Sequence, residues 1–530
     1  MSVTESTAAA ARNSVAYING HVYTVNKAQP WAEAFIVDSN GKFTTVGNTP
    51  EVATAAKASS MVVYDLKGRF VMPGIHDAHV HTIVSGSGLL NWIQTGLDVT
   101  RDNVIERMKA PGCSCAYSHV YEDWIFGGAG FGFEGFDRSI LDKEYPDTPV
   151  VLLGGGCHNW YTNTAALRRA GYNVEQGEKD PIGGKHELRP DGSLTGELKD
   201  QAGNRLMAAL PQPAKAHVKR VVKRAIVEMH RHGITSCQDA SSTEMFLSVL
   251  SELEAEGNLK MQFATHCLYK NEWLTGEIQL PADKLILNAD KYQSRHVDTR
   301  FVKMMMDGAC TLDLMSHSDV DENGVPDKSK ILLPDAQELV ERFDARGMTC
   351  KIHCMGYGGA KTALDAFQSV RQKRPYGPRH EIAHCTQVLP EDCARFKQLN
   401  ITAEMSPSGF FDNSKSDQLR LFQNDFERMV TEGAHVTIGS DWAHGLELPM
   451  FQNTAIVAKR IGAEKVLEMI TLAGAVATGR EEEAGSIEVG KAASFISVDR
   501  DVTQGDFENA KILTTWFEGE VVYDSSQELA

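Results

Sequence analysis

Residues 73–81, PGIHDAHVH, end a short apolar run with two histidines placed two residues apart. Side chains alternate between the two faces of a β-strand, so Asp77, His79 and His81 point to one face and His76 to the other. Imidazoles and carboxylates in such a row are suitable ligands for a divalent metal. The chain has 18 His, so one H-x-H pair is weak evidence for a metal site, and further ligand-type residues are needed elsewhere in the sequence.

Length and composition describe a large globular protein. A chain of 530 residues favours one large domain plus a smaller one over a single core. Its 42% hydrophobic and 23% charged residues are typical of soluble proteins. The net charge of −17 argues against partners such as nucleic acid or an anionic membrane, which bind basic surfaces. No apolar run approaches the ~20 residues that span a bilayer.

The first residues and the cysteines indicate a cytoplasmic protein. MSVTESTAAAARNS lacks the basic and hydrophobic regions of a signal peptide, so residues 1–12 are predicted to be a disordered tail. Ten Cys without the spacing of a metal site are typical of reduced, mostly buried thiols. Cys113 and Cys115 form the closest pair, which we interpret as two thiols in a loop.

Both ends of the chain have the sequence pattern of short strands and turns. SVAYINGHVYTVN and AFIVDSNGKFTTVG each contain an Asn-Gly hairpin signal, at Asn19 and at Asn40. GSIEVGKAASFISVD and ILTTWFEGEVVY repeat the pattern near the C-terminus. The two ends therefore predict one small composite β-sandwich, with residues 13–69 as its N-terminal part and 481–530 as its C-terminal part.

The middle of the chain alternates between strand-like and helical patterns, which predicts βα units and a parallel sheet. The strand candidates are residues 70–81, 233–240, 261–269, 300–308, 348–356, 380–385, 401–407 and 435–441. Eight strands with intervening helices, such as those at 214–233 and 243–257, indicate an α/β fold of the (β/α)8 TIM-barrel type over residues 70–480. Residues 82–213 are too many for one connection and are predicted to be an insertion after the first barrel strand.

Residues suited to metal binding recur near the ends of these strands. They are His79, His81, Lys303, His353, His384 and Asp441. Active sites of TIM barrels lie at the C-terminal ends of the strands, where residues from different strands meet. This recurrence favours a metal centre, although Lys303 could be an ordinary ion-paired lysine and Asp441 could cap a turn.

These motifs, in order, resemble the amidohydrolase superfamily, in particular the YtcJ-like proteins and N-substituted formamide deformylases. The matching segments include PGIHDAHVH, CHNWYTNTAAL, GELKD, GITSCQDA, VKMMMDG, IHCMG, RHEIAHCTQVLPED, IGSD and GSIEVGKAA. The resemblance extends from about residue 15 to 523. It implies a metal-dependent hydrolase of C–N bonds with a composite β-sandwich beside the barrel.

The resemblance also implies which residues bind each metal ion and which residue transfers the proton. His79, His81, Lys303 and Asp441 would hold one metal, and Lys303, His353 and His384 would hold a second, with Lys303 carboxylated as the bridge. Asp441 would take a proton from water and pass it to the leaving amine. If one metal binds, a later histidine stabilises the oxyanion instead. Zn²⁺ is the expected ion, Mn²⁺, Fe²⁺ and Co²⁺ suit the same ligands, and no organic cofactor is expected.

Weaker sequence signals indicate which residues would contact the substrate. His158 and Asn163 lie in a segment that matches the family, and Trp160 belongs to a group of aromatic residues that either line an apolar pocket or pack a core. The other members of that group are Trp92, Trp124, Phe131 and Phe133. Tyr357 replaces the family's usual Asp after Gly356, and His444 follows Asp441 in a loop. Structural or solvent-facing roles are the alternatives for His158, Asn163 and His444.

The sequence thus predicts an enzyme that hydrolyses a small amide-like substrate, such as an N-substituted formamide, N-acyl amine or carbamate. A metal-dependent decarboxylase or isomerase using the same site is the first alternative. A non-catalytic binding protein on the amidohydrolase scaffold is the second, and it would be expected to lack a ligand. A homodimer is expected only because dimers are common.

Overall fold

A parallel barrel lies at the centre of the protein, which we describe from a computed structural model. The structure describes residues 13–527 except 91, 97, 110–119, 130–134, 155–156, 271–276, 278–280, 312–313, 407–423, 444–447 and 449. The tail at 1–12, Cys113, Cys115, Phe131, Phe133 and His444 lie outside the described residues. Barrel strands 1 to 8 are Ile75–Val80, Ile234–Ser242, Gln262–Leu268, Val297–Met305, Thr349–Cys354, Glu381–His384, Thr402–Met405 and His435–Ile438.

Consecutive barrel strands pair in parallel from strand 1 to strand 8. Beyond the end of strand 8, the backbone N–H of Asp441 donates to the His79 carbonyl at 2.8 Å, and that of His81 donates to the Trp442 carbonyl at 3.1 Å. These bonds join the last strand to the first at the level of the histidine pair. The predicted (β/α)8 barrel is confirmed.

Helices cover the outside of the barrel. Lys215–Arg231 leads into strand 2 and buries Val218, Val222, Ala225 and Met229, whose spacing places them on one helical face. The other helices between and after the strands are Glu244–Ala255, Lys284–Leu287, Ala336–Asp344, Tyr357–Lys373, Cys393–Gln398, Phe426–Thr431, Met450–Ile461, Ala463–Met469 and Leu472–Ala477. A short hairpin, Cys310–Thr311 with Leu314–Met315, follows strand 4.

The single strand predicted over 70–81 is two strands that belong to different sheets. Phe70–Pro73 pairs with Phe495–Val498 in the β-sandwich, and barrel strand 1 begins after Gly74. A Cβ on Gly74 would lie 2.2 Å from the Thr235 hydroxyl, so the chain passes from one domain to the other where only glycine fits.

The two ends of the chain build the predicted composite sandwich. One sheet has four strands in the order Phe43–Gly47, Ala34–Val37, Val15–Ile18 and Val62–Asp65, with the helix Thr49–Ala58 beside it. The other sheet runs Glu520–Asp524, Ile512–Phe517, Phe495–Val498, Phe70–Pro73, His21–Tyr23 and Trp31–Ala32. Tyr17 and Phe35 of the first sheet pack against Phe495 and Trp516 of the second.

The insertion after barrel strand 1 has its own six-stranded sheet. Its order is Gly184–Leu188, Leu194–Asp200, Asn159–Thr162, Val150–Gly154, Ile125–Gly128 and Ile93–Gln94. Its helices are Thr82–Leu90, Val104–Lys109, Ser139–Glu144, Thr164–Arg169 and Asn204–Ala209. The first two strands in this order form the hairpin predicted around Asp191. No helix in the described part of the chain is long and apolar enough to cross a membrane.

The sandwich core depends on side chains contributed by both ends of the chain. Phe495 is fully buried and stacks on Trp516 with ring centroids 4.6 Å apart. We expect Phe495→Ala to lower the free energy of unfolding by about 3–5 kcal/mol through lost burial and the cavity it leaves. Denaturant titration followed by circular dichroism measures the effect. Val521→Ala, on an exposed part of the same sheet, is the control, and equal stabilities of the two variants would contradict the expectation.

Candidate metal centre

The ends of the first and last barrel strands bring two imidazoles and a carboxylate together. Oδ1 of Asp441 lies 3.3 Å from Nε2 of His81 and 3.6 Å from Nε2 of His79. Ligand bonds of about 2.0–2.1 Å in a tetrahedral site separate neighbouring ligand atoms by roughly 3.3 Å. The three atoms therefore have the spacing of ligands around one ion. The Asp441 side chain is 33% exposed, so solvent reaches this group.

Lys303 of barrel strand 4 points at the same group. Its Nζ atom lies 3.4 Å from Nε2 of His79, and the residue is 1% exposed. Burial lowers the pKa of Lys303 to about 8, and the neighbouring Lys351 adds to the effect. The register of strands 4 and 5 pairs Lys303 with Lys351, so the two lysines share one face at one level of the barrel.

His353 and His384 complete the group from strands 5 and 6. Their ring centroids are 4.6 Å apart, and the His384 ring is 4.7 Å from the ring of His79. Nδ1 of His384 lies 3.9 Å from Oδ2 of Asp441 and, within the described chain, is buried without a hydrogen-bond partner. An orphaned nitrogen facing a carboxylate fits a metal ligand. All six predicted metal-binding side chains are thus brought together.

Burial sets the charge of these groups. It lowers the pKa of His79 and of His353 well below the usual range and that of His384 to about 3, so the rings are neutral at pH 7. Burial opposes ionisation of Asp441, but His79 and the other nearby rings hold its pKa well below its ordinary value. Neutral imidazole and ionised carboxylate are the forms that bind divalent metals.

Two of the side chains are held by strained backbone. His384 has φ 72° and Asp441 has φ 50°, in the left-handed region that non-glycine residues rarely adopt. Each such residue costs about 1–3 kcal/mol and persists only where the surrounding contacts enforce it. His384 is the last residue of barrel strand 6, and Asp441 lies three residues after the end of barrel strand 8.

Hydrogen bonds fix the orientation of three ligand rings. Nδ1 of His81 lies 2.9 Å from Ser241 Oγ, and Nδ1 of His79 lies 2.6 Å from Oε2 of Glu404, so Nε2 of each ring faces Asp441. Nε2 of His353 lies 3.5 Å from the Gly308 carbonyl, which leaves Nδ1 for an ion. Glu404 was missed in the sequence, although an acidic residue inside the seventh strand candidate, 401–407, was a usable signal.

The insertion contributes His158 to the edge of the site. Its ring centroid is 6.2 Å from that of His353, and Nδ1 lies 2.5 Å from Oδ1 of Asp200. The Ser316 hydroxyl donates to the other oxygen of Asp200 at 2.6 Å. Burial opposes protonation of His158, but Asp200 raises its pKa overall. Asp200, in the motif GELKD, was also missed, because only the insertion's strand pairing brings it to His158.

Two predicted substrate contacts are corrected by the structure. Asn163 is fully buried, and its amide accepts from the backbone of Val150 and Ala166 and donates to that of Tyr145 and Thr148. All four of its bonds cap a helix and tie a loop, so none remains for a substrate. Trp160 is 1% exposed and packs against Gly203 in the insertion core.

The remaining residues divide between packing and the rim of the site. Tyr357 is half-buried at the first position of a helix that begins three residues after strand 5, and its contact with substrate stays a prediction. Trp92 and Trp124 are buried in the insertion core, as the packing alternative expected. Asp307 accepts from the backbone of Met355 and Gly356, which makes it a loop anchor.

Fold and site together describe a (β/α)8 barrel with candidate metal-binding side chains gathered at its strand ends. The amidohydrolase family model matches residues 62–523. N-substituted formamide deformylase of Arthrobacter pascens is 25% identical over 96% of this chain and 98% of its own length. YtcJ of Bacillus subtilis (strain 168), named as an amidohydrolase, is 24% identical over 73% of this chain and 72% of its own.

The fold agrees with a solved structure of similar size. An uncharacterized metal-dependent hydrolase from Pyrococcus furiosus superposes with a TM-score of 0.69 at 20% identity, covering 92% of this chain and all of that one. This protein belongs to the amidohydrolase family and is a hydrolase.

The two faces of barrel strand 1 allow a direct test of the ligand set. His81→Ala removes a ring whose Nε2 faces Asp441, whereas His76→Ala removes a ring whose Nδ1 lies 2.9 Å from Ser236 Oγ on the other face. After loading with Zn²⁺ and dialysis, we expect the His81 variant to retain less metal per chain than wild type and the His76 variant to retain the same amount. Elemental analysis gives the result, and loss of metal only from the His76 variant would contradict the proposed ligand face.

Proposed function

We propose that this protein is a metal-dependent hydrolase that cleaves the C–N bond of an amide-like substrate. The observation that carries the proposal is the spacing of the Asp441, His79 and His81 ligand atoms, 3.3 and 3.6 Å, beside the buried Lys303 amine. A divalent ion bound there would lower the pKa of a water molecule and polarise a substrate carbonyl group. Zn²⁺ suits this mixture of imidazole and carboxylate, and Mn²⁺, Fe²⁺ and Co²⁺ suit it as well.

The residues present fit one or two ions. His79, His81, Lys303 and Asp441 would hold one ion, and Lys303, His353 and His384 would hold the other. The neutral rings and the ionised carboxylate support this assignment, because they need no protonation change before binding. The buried, unpartnered Nδ1 of His384 supports a ligand role for the sixth strand.

Asp441 is the group we assign to proton transfer. Its side chain is 33% exposed and lies within 4 Å of three imidazoles, so solvent water reaches its carboxylate and can give up a proton to it. The proton then passes to the leaving nitrogen, which departs as a neutral amine. The strained backbone at Asp441 supports the assignment, because such strain concentrates at functional residues.

Lys303 is assigned as a carboxylated lysine. Its neutral amine attacks carbon dioxide, a C–N bond forms and one proton is released, which leaves a carbamate anion able to bridge two ions. The lowered pKa of about 8, caused first by burial and then by Lys351, supports the reaction because the free amine is its nucleophile. The paired position of Lys351 supports it too, since an anion beside that buried cation is more favourable than a second cation.

The substrate class rests on the relatives and on the insertion. The Arthrobacter pascens relative is named for N-substituted formamides, so formamides are the first substrates to test, followed by N-acyl amines and carbamates. His158 lies beside His353 at the edge of the site, and Tyr357 begins the helix after strand 5, so these two are the residues we assign to substrate contact. No described residue favours decarboxylation or isomerisation over hydrolysis, and all six candidate ligand side chains lie in one group, which supports an enzyme over a binding protein.

The activity test uses the Zn²⁺-loaded full chain and a panel of N-alkyl and N-aryl formamides. We expect wild type to release formate and amine, and Asp441→Asn to lower kcat by about 10²–10⁴-fold because proton transfer is lost. Amine release measured by derivatisation gives both rates. Hydrolysis at equal rates by wild type and variant, or carbon dioxide release instead of formate from carboxylated analogues, would contradict the mechanism.

Metal content per chain tests the bridging lysine. We expect near two equivalents in wild type and one or fewer in Lys303→Ala, because the carbamate would be shared by both ions. Carbon-13 NMR of protein equilibrated with labelled bicarbonate should show a carbamate signal in wild type only. One equivalent in both proteins would reduce Lys303 to a supporting role, and a wild type without tightly bound metal would overturn the proposed function.

A further inference from the structure

A fully buried carboxylate, that of Glu404 in barrel strand 7, lies directly behind the candidate metal centre. Oε2 lies 2.6 Å from Nδ1 of His79 and 3.3 Å from the backbone nitrogen of His384, which donates to it. Oε1 accepts from the Ser406 hydroxyl at 2.8 Å. One side chain thus contacts two of the six ligand residues, and these two come from different strands and different halves of the proposed two-ion site.

The 2.6 Å separation decides how Glu404 acts. Glu404, His79 and His384 lie close enough together to be considered as ligands of an ion. Two atoms bound to the same ion would be roughly 3.3 Å apart, and 2.6 Å is the length of a charge-assisted hydrogen bond instead. The carboxylate therefore accepts the Nδ1 proton of His79, which fixes the ring in the tautomer whose Nε2 lone pair faces Asp441 and Lys303.

The buried negative charge of Glu404 requires compensation by a positive charge. Ionised carboxylates are rarely buried without a cation, and the side chain nearest to Glu404 in the described chain is the neutral His79 ring rather than a lysine or arginine. A dication on the far side of the ring would supply the missing positive charge through the imidazole. A carboxylate–histidine–metal arrangement of this kind raises the basicity of the ring and tightens metal binding.

Packing holds the carboxylate in place. Gly439, in the IGSD motif, lies against both residues: a Cβ there would be 2.7 Å from Oε1 of Glu404 and 2.4 Å from Cβ of His79. The backbone nitrogen of His384 that donates to Glu404 belongs to the residue with φ 72°. The same carboxylate therefore helps to hold the strained backbone of the sixth strand and the ring of the first.

We propose that Glu404 is a positioning residue that orients His79 and His384 for metal binding and compensates the charge of the ion through the His79 ring. This inference rests on the proposed function, since it requires the site to bind a divalent metal. It assigns Glu404 no contact with substrate and no bond to the ion.

The test compares the dissociation constant of Zn²⁺ in wild type, Glu404→Gln and Glu381→Gln, measured on the full chain by competition with a chelator. Glu381 is the matched control: it is also a fully buried glutamate of the barrel, and it lies 3.5 Å from Lys351 and from His266 instead of a metal ligand. We expect Glu404→Gln to weaken Zn²⁺ binding on the order of 10–100-fold, and Glu381→Gln to leave it within about threefold of wild type. Thermal unfolding of the metal-free proteins records any general loss of stability.

Co²⁺ absorption separates the two ways in which Glu404 could act. With Co²⁺ at saturation, we expect Glu404→Gln to keep the metal stoichiometry and coordination number of wild type, with a shift of the visible bands from the reoriented ring. Loss of a full equivalent of Co²⁺ with a changed coordination number would overturn the positioning role, because it would make Glu404 a ligand. Unchanged Zn²⁺ affinity in Glu404→Gln would overturn it as well, whereas failure of wild type to bind either ion would refute the proposed function itself.

Discussion

The backbone contact between the first and last barrel strands is the constraint on which the site depends. The Asp441 N–H bonds to the His79 carbonyl and the His81 N–H to that of Trp442, so the ring of strands closes at the level of the ligands. The eight strands of a parallel barrel run in the same direction, so all of their C-terminal ends lie on one rim. His79 and Asp441, which are more than 300 positions apart in the chain, thereby reach ligand spacing.

Closing the barrel also places charges where water cannot reach them. Lys303, Lys351, Glu381 and Glu404 are buried in its interior, and each buried charge is costly unless a partner compensates it. Lys351 has such partners in Gln238 and the Ala78 carbonyl. Lys303 and Glu404 face the histidine cluster instead. A buried carboxylate that contacts an imidazole and no lysine or arginine, as Glu404 does in the described chain, is consistent with a site organised around an additional cation.

Much of this organisation was predictable because it depends on local patterns. The eight strand candidates and the β-rich ends follow from alternation, turn residues and β-branched content, and the signal at Asn40 is a hairpin in which Ala34–Val37 pairs with Phe43–Gly47. The hairpin predicted at Asn19 was wrong, because Val15–Ile18 and His21–Tyr23 lie in different sheets. The six candidate ligand residues could be selected from the sequence because they lie near strand ends, where a TIM barrel has its active site. The errors arose where the local sequence pattern carries no information. Gly74 divides one apolar run between two sheets, and Asn163 was predicted to contact substrate although a helix cap and a loop use all four hydrogen bonds of its amide.

The sequence by itself determined the strand order, the alternation that points His79 and His81 to one face, and the placement of Lys303, His353, His384 and Asp441 at strand ends. Only the tertiary structure decided that Glu404 orients His79, that Asp200 holds His158 and that Lys351 is paired with Lys303. The reason is physical. Strand periodicity and turn chemistry act between residues close in the chain, whereas hydrogen bonds and burial between distant strands exist only once register and barrel closure have brought those strands together.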